Sequence, residues 1–268
     1  MREGIGGIKH PAFRDALALT RAGGRKEMGR YLVEDIDMVR QALASPVVEV
    51  LAVFAASEAA KDLEETCAAR RVPLYILGGS GLITKLVGTS YETAVTAVAV
   101  VAQRLVAPAD LVSPEALILC GERIQDPRNV GVLIRTAEAA GCAGLLLSED
   151  SAEPFSRQAV RSTTGSVLRL PIALAPDLPA ALSELASQGV RVVASSGQAT
   201  KLAFDTDLST RPLALIVGNE QNGITDRLAS AATETVRLPM AVNGADSLNV
   251  TVAAGALVYE AVRQARRS

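Results

Sequence analysis

The stretch Leu238-Pro239-Met240, followed by a polar loop to Ser247-Leu248-Asn249-Val250 and on to Gly255, organises the rest of the chain. Its pattern predicts the end of a strand, a loop and the start of an apolar helix. Ser247 and Asn249 stand where the loop becomes helix. Polar side chains at that position can cap the helix, and they can equally face a ligand in front of its N-terminus. The stretch alone leaves both roles open.

The length and composition favour an α/β protein. The chain has 268 residues, which suggests one large or two medium domains. Hydrophobic residues make up 49% of it, but aromatic residues only 3%. The core must therefore consist mostly of Ala, Val, Leu and Ile, which suits parallel strands covered by helices.

Several classes of location and site are disfavoured. No apolar run reaches the length of a membrane span, and the first ten residues lack the apolar core of a signal peptide, so a cytoplasmic location is the default expectation. Cys67, Cys120 and Cys142 show no CxxC spacing, which argues against a disulfide framework or a zinc site. With His10 as the single histidine, a Ser-His-Asp triad or a histidine-based metal site is nearly excluded. We expect no metal.

The net charge of −2 gives no overall basic field of the kind that marks many nucleic-acid-binding proteins. Positive charge is local instead. Residues 1–30 carry seven Lys or Arg against three acids, and the C-terminus adds Arg263, Arg266 and Arg267. Such clusters are commonly solvated faces, but they could also hold a phosphate backbone.

The first part of the chain predicts a small domain. Residues 11–22 indicate a short basic helix that Gly23-Gly24 ends. Strands and helices then alternate over roughly residues 20–102. Residues 103–114 contain Pro108 and Pro114 and little periodicity, which is typical of a linker. We therefore predict a domain over 1–102, a linker over 103–114 and a second domain over 115–268.

The second domain alternates apolar strands with helices. The pattern predicts strands at 116–120, 143–148, 190–195, 213–217 and 235–238, an extended stretch at 167–172, and helices at 130–140, 178–188, 224–231 and 248–266. Such alternation indicates a mostly parallel sheet with helices on both faces.

The usual nucleotide-binding loops are absent from the sequence. Gly79-Ser80-Gly81 lacks the third glycine of GxGxxG. Gly218 and Gly223 have the spacing of a Walker loop, but Ile224 stands where the lysine is needed. A nucleotide-dependent oxidoreductase fails on these glycine patterns.

Three polar loops follow predicted strands: 125–131, 217–223 and the opening stretch. Ligand sites of open α/β sheets lie beyond the carboxyl ends of the strands. Each loop alone has a structural explanation, because Asp126-Pro127 and Asn222-Gly223 are common turn sequences. Arg135 could form a surface ion pair, and Asn129 could cap a helix. The three loops together, in this order, are much more specific.

Together these loops resemble the motifs of the SpoU (TrmH-like) RNA ribose 2′-O-methyltransferases, of the SPOUT class. The three motifs correspond to Asp126-Pro127-Arg128-Asn129-Val130-Gly131 with Arg135-Thr136-Ala137, to Ile216-Val217-Gly218-Asn219-Glu220 with Gly223, and to Leu238-Pro239-Met240 with Ser247 to Gly255. The resemblance covers about 115–265. Residues 20–102 more loosely resemble small kink-turn-binding ribosomal proteins. Gln221-Asn222 and Thr251 depart from the usual motif residues, and the acidic pI of 5.6 favours local basic patches.

The resemblance implies a fold and a cofactor. The fold is a parallel sheet whose C-terminal segment threads through a loop to form a deep trefoil knot, which general topology rules would not predict. The cofactor is S-adenosylmethionine, bound in the knot. The implied cofactor residues are Gly218, Asn219, Glu220, Leu238, Met240, Ser247 and Leu248, with Thr163, Thr164 and Gly165 as further lining residues.

The resemblance also implies a chemistry in which a methyl group passes to a ribose 2′-OH without a metal. The implied catalytic residues are Arg135, Asn129, Glu220, Ser247 and Asn249. Arg135 matches the family's proposed base, although a guanidinium normally stays protonated. Two hypotheses stay open: either RNA phosphate and Asn129 tune Arg135 into a base, or Arg135 stays charged and stabilises the developing alkoxide. Glu220, Ser247 and Asn249 would orient the ribose and Arg135.

The partners follow from the same resemblance. Family members with an additional N-terminal domain mostly act on ribosomal RNA, so rRNA of the large subunit is the expected substrate. A tRNA methyltransferase and a catalytically silent RNA-binding or ribosome-assembly factor are the alternatives. A homodimer through the knotted domain is implied. The apolar last helix, Val250 to Val262, is consistent with such an interface and equally with packing inside one chain.

Overall fold

The computed structural model describes residues 2–88 and 95–266, and the chain forms two compact units. The first unit combines Met1–Gln103 with Phe155–Arg169, and the second combines Arg104–Pro154 with Leu170–Ser268. The predicted linker 103–114 therefore lies almost wholly in the second unit, where Leu111 is buried in the core. The segment Phe155–Arg169 packs in the first unit, whereas the sequence placed it in the second domain.

The elements alternate along the chain as expected. The strands are β1 (Arg2–Ile5), β2 (Arg30–Glu34), β3 (Val50–Ala55), β4 (Leu74–Leu77), β5 (Ala97–Ala102), β6 (Leu117–Gly121), β7 (Gly144–Ser148), β8 (Ile172–Ala175), β9 (Arg191–Ser195), β10 (Lys201–Leu202), β11 (Leu213–Val217) and β12 (Glu234–Arg237). The helices are α1 (Pro11–Ala18), α2 (Ala22–Met28), α3 (Ile36–Ala44), α4 (Ser57–Ala69), α5 (Ser80–Val87), α6 (Pro127–Ala139), α7 (Arg157–Thr163), α8 (Leu178–Ser187), α9 (Asp226–Ala231) and α10 (Val250–Ala265).

The first unit contains a five-stranded mixed sheet in the order β1-β4-β3-β5-β2. Strands β1, β3 and β4 run parallel, whereas β5 pairs antiparallel with β2 and β3. On one face α1 buries Phe13 edge-to-face against Phe54, with the ring centroids 6.1 Å apart. Edge-to-face contact is a favoured arrangement of two aromatic rings.

The predicted helix 11–22 was wrong at its end, because α1 stops at Ala18 and Gly23-Gly24 lie inside α2. The reason is close packing rather than helix termination. A Cβ on Gly24 would lie 2.2 Å from the carbonyl oxygen of Ala18, so the approach of α2 to α1 requires glycine there. The left-handed residue that ends α2 is Gly29, with φ +62°.

The segment Phe155–Arg169 is attached to the first unit by specific contacts. The Phe155 ring packs 4.9 Å from the Tyr31 ring, centroid to centroid. Arg157 Nε donates to Glu34 Oε1 at 2.7 Å, and Glu34 is almost fully buried. The predicted extended stretch 167–172 was also wrong in part, because residues 166–168 form a 3-10 turn and β8 starts only at Ile172.

The second unit is built on a seven-stranded sheet in the order β10-β12-β9-β11-β6-β7-β8, and all its described pairings are parallel. Strands β6, β7 and β11 are buried along their whole length, which explains their continuous apolar sequences. From β6 the chain continues to β7 on one side, while β11 lies on the other side. The carboxyl ends of β6 and β11 therefore meet at a switch in strand order, where α/β proteins bind ligands.

The last helix, α10, packs against α6 and against β11 within the second unit. Because β12 precedes it, the chain crosses from near the sheet edge back to the middle of the sheet through residues 238–249. None of the helices within residues 2–88 and 95–266 has both the length and the apolar character needed to cross a membrane.

Candidate functional site

The first loop of the site joins β6 to α6. Asp126 caps α6, because its carboxylate accepts from the backbone amide of Arg128 at 2.8 Å, and Pro127 occupies the first helical turn, where proline is favoured. The Arg128 guanidinium also pairs with the same carboxylate at 2.6 Å. Its hydrogen bond holds the pKa of Asp126 below the ordinary value. This cap fixes where α6 begins, and with it the position of Asn129.

Glu220 connects the second loop to the first. Its carboxylate accepts from Asn129 Nδ2 at 2.8 Å, from the backbone amide of Gln125 at 3.1 Å and from that of Asp126 at 3.2 Å. Burial acts to raise the pKa of Glu220, but these hydrogen bonds outweigh burial and hold the pKa below its ordinary value. Glu220 is therefore an ionised acceptor at neutral pH.

The second loop is a tight turn that two glycines make possible. Asn219 and Gly223 exchange both backbone hydrogen bonds, at 2.9 and 3.0 Å. A Cβ on Gly218 would lie 2.3 Å from the carbonyl carbon of Gly223, and Gly223 itself has φ +66°. The Asn219 side chain closes the turn on itself through its Oδ1 and reaches the first loop by donating to the carbonyl of Arg123 at 2.8 Å.

The third loop joins this cluster through Asn249, the cap of α10. Asn249 Oδ1 accepts from the backbone amide of Thr251 at 2.9 Å, and Asn249 Nδ2 donates to Asn129 Oδ1 at 3.4 Å. A chain of hydrogen bonds thus runs from Glu220 through Asn129 to Asn249. Ser247 is exposed two residues before the cap, and in the described part of the chain its hydroxyl has no hydrogen-bond partner.

Large apolar side chains are exposed along the same third loop. Met240 is 37% exposed, Leu248 42% and Val242 91%, while Leu238 is partly buried. Isolated exposed apolar residues are common, but a group in one loop beside a polar cleft marks a surface suited to an apolar ligand face.

Arg135 is not joined to this cluster within one chain. It lies on α6 six residues after Asn129, which places it roughly 240° around the helix from Asn129. Its side chain is exposed, and among residues 2–88 and 95–266 no hydrogen bond or ion pair holds it. The structure therefore brings together Asn129, Glu220 and Asn249, but not Arg135.

Thr163, Thr164 and Gly165 belong to the first unit. Thr163 is fully buried, and its hydroxyl donates to the carbonyl of Val160 at 2.7 Å. Gly165 has φ +98°, and a Cβ there would lie 2.4 Å from Gln41 Oε1. These contacts explain Thr163 and Gly165 structurally, and the part of all three residues in cofactor binding stays a prediction.

Two charged residues directly after β6, Glu122 and Arg123, belong to the site region although no sequence motif marks them. Glu122 is buried and accepts from both the amide and the hydroxyl of Thr225, each at 2.7 Å, which ties β6 to the cap of α9. Arg123 has φ +55°, an uncommon conformation for a residue other than glycine. The sequence signal that could have identified them is the presence of two adjacent charged residues at the end of a fully apolar strand.

The first two loops line an open, polar cleft of about 660 Å³, whose lining includes Gln125, Asn129 and Glu220. It offers fixed hydrogen-bond donors and acceptors. In the part of the chain that the structure describes, no group of three or more His, Cys, Asp or Glu is placed to hold a metal ion. The arrangement suits the positioning of a polar substrate more than nucleophilic attack by the protein.

Comparison with known proteins assigns this architecture to one family. The sequence model of the SpoU rRNA Methylase family matches residues 116–259, more than half of the chain. An uncharacterized tRNA/rRNA methyltransferase of Synechocystis is 32% identical over 263 residues, which cover 97% of this chain and 93% of that protein. Mycobacterial tRNA/rRNA methyltransferases also match, and there the match spans about half of their own length.

Two solved structures match over nearly the whole chain. The AdoMet-bound rRNA methyltransferase of Sinorhizobium meliloti is 28% identical, with a TM-score of 0.85 and coverage of 98% of both chains. An RNA 2′-O ribose methyltransferase is 27% identical, with a TM-score of 0.76 and coverage of 98% of this chain and 99% of that one. With its parallel seven-stranded sheet and its three loops at the carboxyl edge, the chain belongs to the SpoU rRNA methylase family.

Proposed function

We propose that the protein is an S-adenosylmethionine-dependent RNA methyltransferase that transfers a methyl group to a ribose 2′-OH, with ribosomal RNA as the substrate. The observation that carries this proposal is the hydrogen-bonded chain Glu220–Asn129–Asn249, which unites the three loops at the carboxyl edge of the sheet. Family membership supports methyl transfer to RNA. The match to an RNA 2′-O ribose methyltransferase supports the ribose as acceptor.

The residues present fit S-adenosylmethionine. The tight turn at Gly218, Asn219 and Glu220 supplies backbone groups, while Leu238, Met240 and Leu248 offer partly exposed apolar surface for an adenine ring. Ser247 lies just before α10, and its hydroxyl has no hydrogen-bond partner among residues 2–88 and 95–266. When bound, the cofactor supplies a methyl group that is already activated, so the protein needs no metal ion.

The work left to the protein is to position the ribose and to relieve the hydroxyl of its proton. Both polar atoms of the Asn129 side chain are engaged, one with Glu220 and the other with Asn249, so Asn129 has a fixed orientation at the cleft. Ionised Glu220 accepts hydrogen bonds and holds this arrangement. Arg135 either takes the proton or stabilises the developing negative charge on the 2′-oxygen.

The proposal includes a homodimer, which the position of Arg135 and the surface of α10 support. In the described part of one chain no hydrogen bond joins Arg135 to the Asn129 cluster, so we propose that a second copy brings Arg135 to each cleft. Val252 and Tyr259 on α10 are 55% and 51% exposed, and their spacing of seven residues places them on one helix face. We propose that this face forms the dimer contact. The deep trefoil knot around residues 238–249 and the cytoplasmic location belong to the same proposal.

Methyl transfer from labelled S-adenosylmethionine tests the proposed function. Purified protein is incubated with separate pools of rRNA and tRNA, and the modified nucleotide is mapped by its resistance to alkaline cleavage, because a 2′-O-methyl group blocks that reaction. We expect incorporation into rRNA at one ribose. Arg135→Ala should lower the rate at least about 100-fold, the scale of a lost electrostatic or proton-transfer contribution.

Other outcomes of this experiment select the alternatives. Incorporation into tRNA alone would identify a tRNA methyltransferase, and incorporation into a base would contradict ribose transfer. No transfer to either pool would favour an RNA-binding or ribosome-assembly factor. The pH–rate profile of Arg135→Lys separates the two roles of Arg135. A lysine base acts only when it is deprotonated, so the rate would rise with pH, whereas an electrostatic cation acts only when it is protonated, so the rate would fall as the amine loses its proton.

A further inference from the structure

A second cleft adjoins the first along the carboxyl edge of the seven-stranded sheet. Its volume is about 570 Å³, within the range of about 300–1,000 Å³ that is usual for small-molecule pockets. Pro176, Leu178 and Pro179 give it an apolar side, and Glu149 and Asp177 add carboxylates. The motif residues of the three loops do not line this cleft.

Arg123 and Asp150 form the wall between the two clefts, since they line both. Their ion pair is long, with 3.5 Å from Arg123 Nε to Asp150 Oδ2, and the two side chains are 46% and 62% exposed. Exposed pairs of this kind contribute about 0–1 kcal/mol. The guanidinium can therefore exchange Asp150 for another anion at little cost.

The backbone of Arg123 is held in its uncommon conformation from three sides. Its amide donates to Ser148 Oγ at 2.7 Å, and its carbonyl accepts from Asn219 Nδ2 at 2.8 Å and from Gln125 Nε2 at 3.1 Å. Glycine would adopt φ +55° without strain, yet an arginine occupies the position. Residues kept in strained conformations concentrate at functional sites.

We propose that the second cleft binds the nucleotide next to the target ribose and that Arg123 binds the phosphate that links the two nucleotides. This inference rests on the proposed function. An RNA strand whose target ribose lies in the first cleft must continue past its wall, so the linking phosphate meets the wall. Guanidinium groups recognise phosphate oxygens with paired hydrogen bonds.

The charges assign the two parts of the neighbouring nucleotide. Arg227 also lines the cleft, but its charge is paired with Asp177 at 2.6 Å, and Asp177 accepts from the backbone amide of Ala180 as well. The carboxylate of Glu149 disfavours phosphate inside the cleft and can accept from amino groups of a base. Pro176 is exposed and Pro179 is partly exposed, so the two prolines offer an apolar surface to the face of a base. The phosphate therefore stays at Arg123 on the wall, and the base enters the cleft. Arg123 is a positioning residue in this scheme.

The test is a double-mutant cycle, in which Arg123 and one RNA phosphate are changed singly and together. The substrate is an RNA oligonucleotide that contains the mapped target, with either flanking phosphate replaced in turn by an uncharged methylphosphonate. For the wild-type protein, one of the two replacements should raise KM about tenfold and leave kcat within about twofold, as expected for one lost charge-assisted hydrogen bond. For Arg123→Gly, KM with natural RNA should rise about tenfold, and the same replacement should raise it no further.

Arg123→Gly is chosen because glycine relieves the backbone strain, so its thermal midpoint should not fall and its affinity for S-adenosylmethionine should not change. Arg128→Ala is the matched control, because Arg128 is an exposed arginine of the same loop whose charge is already paired at 2.6 Å. It should keep the full methylphosphonate effect. Pro176→Trp, which fills the second cleft without altering a charge, should also raise KM.

Three results would overturn the inference while the proposed function stands. They are a wild-type KM in Arg123→Gly, a methylphosphonate replacement that raises the KM of Arg123→Gly as much as that of the wild-type protein, or a wild-type KM in Pro176→Trp. If the wild-type protein methylates no RNA, the proposed function is contradicted, and so is the inference that rests on it.

Discussion

Asn249 uses the two ends of its side chain for two tasks. The oxygen accepts from the amide of Thr251 and caps α10, and the nitrogen donates to Asn129 at the cleft. Capping and site formation are therefore properties of one residue, and they can be separated by chemistry. Aspartate keeps the accepting oxygen but has no donor for Asn129.

Asn249→Ala should lower the free energy of unfolding by about 1 kcal/mol, the usual cost of a lost helix cap. Asn249→Asp should leave it within a few tenths of a kcal/mol, because aspartate caps as well as asparagine and its charge suits the helix N-terminus. Both variants should lose most methyl transfer. Chemical denaturation and a methyl-transfer assay measure the two properties.

Two outcomes would contradict these roles of Asn249. If Asn249→Asp kept full activity, the hydrogen bond from Asn249 to Asn129 would have no part in the site. If Asn249→Ala were as stable as the wild-type protein, Asn249 would have no value as a cap.

The residue scale also shows where sequence-based prediction stops. Asn129, Glu220 and Asn249 could be found because their motifs state both residue type and spacing. Arg123 could not, because left-handed backbone is usually signalled by Gly, Asn or Asp, and nothing in the residue types Glu122-Arg123-Ile124 indicates φ +55°. Its conformation depends on Ser148 and Asn219, which are distant in sequence.

At the scale of elements, α7 is held to β2 of the first unit by the ion pair between Arg157 and Glu34. Burial raises the pKa of Glu34 above its ordinary value, and the hydrogen bond and charge of Arg157 act in the opposite direction. Glu34 is 4% exposed and Arg157 is 32% exposed. Removing one partner of such a pair leaves a buried charge.

Arg157→Ala should therefore lower the stability of the first unit by about 3 kcal/mol at pH 8. The pKa of Glu34 is raised in the folded state, so the stability linked to its protonated form is present at low pH and is lost as pH rises through that pKa. Without Arg157 the folded-state pKa is higher still, so the deficit relative to wild type should shrink between pH 8 and pH 5. Unfolding followed by tyrosine fluorescence is a suitable measurement, because Tyr31 lies in this unit.

The double variant Glu34→Gln/Arg157→Ala is the control for this prediction, since it has no carboxylate to titrate. It should recover much of the deficit and show no change of that deficit with pH. An Arg157→Ala deficit that is the same at pH 5 and pH 8 would contradict the role given to Glu34.

The elements that the sequence predicted well are those with a single dominant signal. Strands β6, β7, β9 and β11 are short apolar runs buried in the sheet, and α10 is a long apolar helix with a polar cap. The two-residue strand β10 and the polar strand β1 were not predicted, because both owe their conformation to pairing with a neighbouring strand.

At the scale of the whole molecule, the exposed apolar face of α10 bears on assembly. Glutamate at both Val252 and Tyr259 would place two charges on the proposed dimer contact. The double variant Val252→Glu/Tyr259→Glu should be a monomer by light scattering and should lose at least about 100-fold in methyl transfer, because Arg135 would no longer reach a neighbouring cleft. Its circular dichroism should match that of the wild-type protein.

Val47→Glu is the matched control, because Val47 is 52% exposed, nearly the same as Tyr259, and lies in the first unit. It should leave the oligomeric state unchanged. A wild-type protein that is monomeric at assay concentrations, or a monomeric double variant with full activity, would contradict the role given to the dimer.

The meeting of the three loops was predictable for a general reason. Parallel strands end at one edge of a sheet, so polar residues that follow buried strands converge there. The division of the chain into two units was harder to predict from the sequence. Residues 103–114 resemble a linker by composition, but Leu105 pairs with Ile172 and Leu111 is buried in the second unit. No local pattern shows that residues 155–169 pack with strands made more than a hundred residues earlier.

Residues 155–169 pack in the first unit although the residues before and after them belong to the second, and this has a consequence for how the protein folds during synthesis. Ribosomes deliver a chain from its N-terminus, and N-terminal domains generally fold while later residues are still being added. Here the first unit lacks α7 until residue 163 has been synthesised, when β6, α6 and β7 of the second unit already exist. During that interval Glu34 and Tyr31 lack their contacts with Arg157 and Phe155. The two units therefore mature in overlapping order, and neither can be obtained whole by a single cut in the gene.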